Sequence, residues 1–260
     1  MTALRRMENE FAIAGELDSA WAARPLELLR CNENAALILE DPGGCPLDSR
    51  LGSAFEMTVF LRIAVSLAEA LRQIHFRGLI HKDIKPANLF VDEANVVRVT
   101  GFGIASRLSR ERQALAPPEF IGGTFAYMAP EQTGRMNRSV DSRSDLYSMG
   151  VTLYQMLTGM LPFSAADPMG WIHCHIARQP DRPEERIKGI PKTVADIILK
   201  LLAKNAEDRY QSAAELRDDL ARFHHGQPVL APAPISGGPT RAMSGPPPYY
   251  PGYERAYANH

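Results

Sequence analysis

Asp83, Lys85 and Asn88 stand close together in the stretch His81-Lys82-Asp83-Ile84-Lys85-Pro86-Ala87-Asn88. By residue type alone, a carboxylate can accept a proton, and an ammonium or an amide N–H can steady negative charge. A little further on, the run Val96 to Thr100 leads into Gly101-Phe102-Gly103. His173-Cys174-His175 invites a metal reading, but on a helix residues two apart point in different directions. It is therefore read as ordinary helix, and His224-His225 as a solvated helix end. Cys31, Cys45 and Cys174 are too few and too spread for a disulfide framework, which points to a reducing cytoplasm.

These residues need elements to hold them. Residues 1–20 read as a short helix with Phe11, Ile13 and Leu17 as its apolar positions. Leu26 to Arg30 and Ala35 to Glu40 read as strands joined by the polar turn Cys31 to Asn34, and Asp41-Pro42-Gly43-Gly44 as a loop. From Thr58 to about Gly78 a long helix is expected, because Leu61, Ala64, Val65, Ala68 and Leu71 form one apolar stripe. Leu89 to Val91 and Val96 to Val99 form a hairpin turned by Asp92 to Asn95. Residues 104–128 lack a period and read as a long functional loop. Leu146 to Leu161 is apolar on nearly every face and should be a buried central helix. Val194 to Leu202 carries another helical stripe. Ser212-Ala213-Ala214-Glu215 reads as a capping box opening a last helix, with Leu216, Leu220 and Phe223 inward.

The stretch around Asp83 resembles the catalytic loop of eukaryotic-type Ser/Thr protein kinases, His-Arg-Asp-Leu-Lys-Pro-x-Asn, with Lys82 for Arg and Ile84 for Leu. Thr124-Phe125-Ala126-Tyr127-Met128-Ala129-Pro130-Glu131 resembles the end of that family's activation segment, and Asp145-Leu146-Tyr147-Ser148-Met149-Gly150 the start of its central helix. Glu10 resembles its small-lobe helix Glu, and Ile38-Leu39-Glu40-Asp41 its hinge. A narrower likeness, carried by Val99 to Ala105 and Pro130 to Arg138, is to the N-terminal kinase-like domain of large bacterial hybrid proteins with ATPase, sensor and histidine kinase modules.

The resemblance implies an α+β, protein kinase-like fold with a reduced small lobe and a mainly helical large lobe. It implies ATP and magnesium as cofactors and transfer of a phosphoryl group to Ser or Thr. It makes Asp83 the base, places Lys85 on the transferring phosphate and Asn88 on ATP-bound magnesium, and lets Thr124 bridge Asp83 and Lys85. The backbone at Glu40 would grip adenine. Glu10, Glu131, Asp145 and Arg209 would be structural: Glu131 in a buried ion pair with Arg209, and Asp145 accepting backbone N–H bonds from the catalytic loop.

Three departures stand against full activity. Gly101 occupies the position of the family's metal-binding Asp and adds no oxygen ligand. Asp92 and Glu93 are the nearest alternative carboxylates, but they belong to the hairpin turn. Lys82 loses the bidentate fork that an Arg offers a phosphorylated residue. No Gly-rich loop and no strand Lys precede Glu10; Arg5 and Arg6 are too close to it. The chain thus reads as N-terminally truncated, or as a lobe rebuilt by another chain. Impaired phosphotransfer is one expectation. A pseudokinase acting as a signalling and protein-binding module is the alternative, and a truncated gene remnant a third.

A chain of 260 residues, 45% of them hydrophobic, can bury one sizeable core. The net charge of -1 gives no pull toward nucleic acid, and no apolar run is long enough for membrane insertion. The expected partner is a protein substrate or signalling partner. The division reads as a partial small lobe over 1–40, a large lobe over 41–225, and a Pro/Gly-rich tail over 226–260 expected to be disordered.

Overall fold

A computed structural model describes residues 2–31, 34–107, 125–136, 138–227 and 229. Helix α1 (Ala3–Ala12) opens with the Thr2 hydroxyl accepting the Arg5 N–H. It ends earlier than expected. After Ile13 the chain tightens into a 3-10 turn, Ala14–Glu16. That break lets Leu17 beyond the turn reach the core, and Ile13 is buried, whereas Phe11 keeps the exposed face of α1 and is 39% exposed instead of facing the core. Strands β1 (Pro25–Cys31) and β2 (Asn34–Leu39) form an antiparallel pair with Leu28 opposite Leu37.

Gly44 explains how the chain then reaches the second lobe. Its φ is +73°, and a Cβ there would lie 2.2 Å from the Val91 carbonyl oxygen. This close pass seats β3 (Cys45–Pro46) against a later strand, β5 (Leu89–Val91). Helix α2 (Met57–Phe76) is capped by the Glu56 carboxylate, which accepts the Val59 N–H. Leu61, Ala64, Ala68 and Leu71 of its stripe are buried. β4 (Leu79–Ile80) follows, then the hairpin β5 (Leu89–Val91) and β6 (Val97–Val99); β7 (Ser106–Arg107) returns to pair with β4. Asp92 fixes the hairpin turn by accepting N–H bonds from Ala94 and Val96 while pairing with Arg98. Its carboxylate is therefore a turn cap.

Helix α3 (Ser142–Thr158) is buried along almost its whole length. Ser148, Thr152 and Thr158 remain tolerable there because each hydroxyl donates to the carbonyl four residues earlier. α4 (Pro168–Ala177), α5 (Pro183–Arg186), α6 (Lys192–Leu201) and α7 (Ala213–His224) complete the large lobe. At the start of α7 the Ser212 hydroxyl accepts the Glu215 N–H, but the Glu215 carboxylate returns to the N–H of Gln211, one residue before the cap. The core runs continuously from Trp21 and Leu47 through α2 and α3 to Leu220. Val229 also packs against it; residues 230–260 lie outside the described residues. No helix among the described residues is long and apolar enough to cross a membrane.

Candidate active site

The catalytic loop follows β4 and is held from below by α3. Asp145, fully buried, accepts the backbone N–H groups of His81 (2.9 Å) and Lys82 (2.8 Å) and bonds the His75 ring at 2.9 Å. Burial alone would push its carboxyl pKa up. The His75 bond and the backbone N–H of His81 outweigh that and hold it low. Lys82 adopts φ +68°, a conformation costly for a residue with a Cβ. Both sides of this residue are clamped: Asp145 takes its N–H, and the Gln132 amide donates to its carbonyl at 2.8 Å.

His81 sets the tautomer of the loop. Its Nδ1 accepts the Asp83 N–H at 3.1 Å, so the ring proton sits on Nε2 and is given to the Thr100 carbonyl at 2.9 Å. This links the loop to the strand that leads into Gly101. The Asp83 carboxylate receives Lys85 Nζ at 2.7 Å and Asn88 Nδ2 at 3.1 Å; Asn88 Nδ2 also donates to the Asp83 carbonyl at 2.8 Å. The three residues thus converge on one carboxylate.

Gly101 has φ +78° and ψ +41°. A Cβ there would lie 2.8–2.9 Å from the side-chain amide of Asn88. The space a side chain would need is filled by Asn88. Magnesium needs near-octahedral oxygen ligation, commonly with one or two carboxylates besides substrate oxygens. At this place Asn88 supplies one amide oxygen, Gly101 none, and the Asp83 carboxylate already carries two donors. Among the described residues no His, Cys, Asp and Glu group forms a metal cluster. The donor set at this place does not fit a magnesium site built by the described residues.

From the other lobe, α1 grips the Gly-Phe-Gly segment. Glu10, 8% exposed, accepts the Gly101 N–H at 3.2 Å. Asn9 Nδ2 donates to the carbonyls of Gly103 and Ala105 at 3.1 and 3.0 Å. Burial raises the Glu10 pKa; backbone N–H bonds from Phe102 and Gly101 and the nearby His81 offset this incompletely. Glu40 is fixed by Ser19 at 2.5 Å, and its own N–H donates to the Arg24 carbonyl. Any grip on adenine from this residue therefore falls to its carbonyl. Thr124 lies outside the described residues.

Arg209 is buried with all its N–H groups used. Two go to Glu131 at 2.7 and 2.9 Å, and the others to the carbonyls of Ala203, Arg143 and Lys204. Ser144 adds a third donor to Glu131 at 2.7 Å. Burial opposes the Glu131 charge, yet these partners hold its pKa down.

Three positioning residues escaped the sequence reading. Gln132 lies inside a stretch noted only for its family likeness; its Oε1 accepts the Ala129 N–H, so its amide can only donate to Lys82. Asn9 adjoins Glu10 but carries no periodic signal. His175 takes the Tyr147 hydroxyl at 2.9 Å on Nδ1 and bonds the Phe125 carbonyl at 2.8 Å through Nε2. Burial and nearby Lys204 lower its pKa to about 4. It tethers the end of the activation segment to α4.

The Asp83 carboxylate held by Lys85 and Asn88, and the small lobe set on a mainly helical large one, are those of a protein kinase-like fold, and the comparisons agree. The profile of the protein kinase domain matches residues 2–220, and the chain belongs to that family. It is 40% identical over 172 residues to the serine/threonine-protein kinase PknB of Mycobacterium tuberculosis, covering 66% of this chain and 27% of that protein. With PknB of Mycobacterium leprae the identity is 41% over the same shares. With the serine/threonine-protein kinase PksC of Streptomyces coelicolor it is 33% over 215 residues, 80% of this chain and 38% of that protein. The chain therefore spans between a quarter and two fifths of the length of these relatives. It is a bacterial eukaryotic-type Ser/Thr kinase domain, of a family that in general uses ATP and magnesium.

Proposed function

We propose that this domain moves the γ-phosphate of ATP to a Ser or Thr hydroxyl of a protein in bacterial signal transduction, at a rate well below that of its relatives. The observation that carries the reading is the convergence of Lys85 and Asn88 on the Asp83 carboxylate. In this reading Asp83 accepts the hydroxyl proton and Lys85 steadies the phosphate oxygens. Asn88 fixes the loop, and Thr124 sets hydroxyl preference. The backbone at Glu40 meets the adenine. The work is divided between a small lobe over 1–40 and a large lobe over 41–225, with a tail over 226–260, in the cytoplasm.

A second reading is favoured by Gly101. With the Asn88 amide packed where a metal-binding side chain would stand, the domain is a pseudokinase that binds a signalling partner. The narrower likeness to the kinase-like domain of bacterial hybrid proteins fits either reading. Labelling of a Ser/Thr substrate protein with γ-labelled ATP separates the two, run with magnesium and with a chelator. Slow transfer that falls about a hundredfold or more in Asp83→Asn supports catalysis. Label incorporation equal in the wild type and Asp83→Asn leaves the pseudokinase reading.

A further inference from the structure

A cavity of about 490 Å³ lies between α2, α7 and the β5–β6 turn. None of Asp83, Lys85, Asn88 or Gly101 lines it, so it is separate from the catalytic loop. Its volume falls in the roughly 300–1,000 Å³ range of small-molecule sites. Trp21, Val65, Ala70, Val97 and Ala221 give it an apolar interior. Its rim carries Arg62, Arg217, His224 and His225 against a single carboxylate, Glu69.

That carboxylate is already satisfied. Glu69 receives two bonds from Arg72, one from Gln73 and one from Arg217, and these hold its pKa at about 2. Arg217 in turn is shared between Glu69 and Asp218. Arg62, by contrast, is exposed, makes no hydrogen bond or ion pair to a described residue, and feels only the charge of Glu56 at the start of α2, outside the cavity lining. The cavity thus couples an apolar interior to a cation at its mouth that no carboxylate of its lining holds by a hydrogen bond or ion pair, and an amphipathic anion complements both in chemistry.

We propose that this cavity binds a small amphipathic anion, a one- or two-ring carboxylate or sulfonate whose apolar body lies against Trp21 and Val65 and whose charge meets Arg62. The proposal does not depend on phosphotransfer. The probe is 8-anilinonaphthalene-1-sulfonate, titrated by calorimetry into the full chain, with uncharged N-phenyl-1-naphthylamine as the control. Saturable one-to-one binding is expected, about tenfold weaker for the uncharged control. Arg62→Glu lies on an exposed helix position and should weaken the sulfonate about tenfold without changing the thermal midpoint. Ala221→Trp should abolish binding by filling the cavity. Absence of saturable binding overturns the proposal. So does binding that survives Arg62→Glu, which remains a valid test even if Ala221→Trp fails to fold.

Discussion

Two buried glutamates show how differently the lobes are built. Glu131 in the large lobe faces a guanidinium that uses every one of its donors, with a serine hydroxyl beside it. Glu10 in the small lobe is nearly as buried, but the partners that offset its burial are backbone N–H groups and the neighbouring histidine. The first carboxylate is held below its ordinary pKa and the second above it. In the large lobe this buried carboxylate is fully partnered by side chains of the described residues. The small lobe keeps a carboxylate whose pKa burial raises, next to the segment where the family's metal ligand would stand.

Removing one side of the large-lobe pair should produce the largest effect. Arg209→Ala strands a buried charge and should cost about 3–5 kcal/mol, a large share of the roughly 5–15 kcal/mol of a typical domain. Urea unfolding of Arg209→Ala, Glu131→Ala and the double variant checks this. Strong non-additivity is expected, and additive losses would remove the coupling from the comparison. Asp145→Ala comes next. It strands the N–H groups of His81 and Lys82, at about 1–3 kcal/mol for each unsatisfied buried donor. Hydrogen exchange at these two amides should accelerate, while the Arg209 region should not change.

Gly101→Ala should cost less, about 1–2 kcal/mol, from left-handed backbone and the contact with Asn88. A melting temperature equal to wild type would show that the segment relaxes freely. The smallest effect belongs to Glu10→Gln, no more than about 0.5–1.5 kcal/mol. Its value lies in sign. Because the folded pKa of Glu10 is raised, its contribution is fully present below the unfolded value of about 4.3 and is lost as pH rises through the folded pKa. Glu131 does the reverse: its contribution is present above the unfolded value and is lost as pH falls through the folded pKa. Wild-type stability should therefore fall relative to Glu10→Gln on raising the pH, and fall relative to Glu131→Gln on lowering it. Parallel profiles would erase the contrast between the lobes.

The sequence made the long-period elements legible. The stripe of α2, the apolar run of α3 and the β5–β6 hairpin all follow from local spacing, and their burial follows with them. What stayed hidden depends on distant partners. β3 and β7 are two-residue strands whose pairing is set by β5 and β4, so no periodicity marks them. Phe11 keeps the exposed face of α1, while the break after Ala12 lets Leu17 beyond the 3-10 turn reach the core, because such a turn changes the angle between successive side chains. In the site, Asp83, Lys85 and Asn88 are neighbours in sequence and were readable as a group. Gln132 acts on Lys82 from 50 residues away, and Asn9 on Gly103 from 94; such contacts have no local signature.

Residues 19–23 run beside β6: the Trp21 carbonyl accepts the Val99 N–H at 2.9 Å, Ala23 donates to the Val99 carbonyl at 3.0 Å, and Arg98 reaches the Ser19 carbonyl. In mechanical terms this rivets the connecting segment of the small lobe onto the large one. A force drawing the lobes apart loads these bonds together, in shear, whereas β1 and β2 can unzip bond by bond. The stiff unit therefore includes α1, the connecting segment and the Gly-Phe-Gly turn, and the compliant one is the β1–β2 hairpin. Rotation of one whole lobe against the other would have to break these bonds, whereas bending of the β1–β2 hairpin would leave them in place.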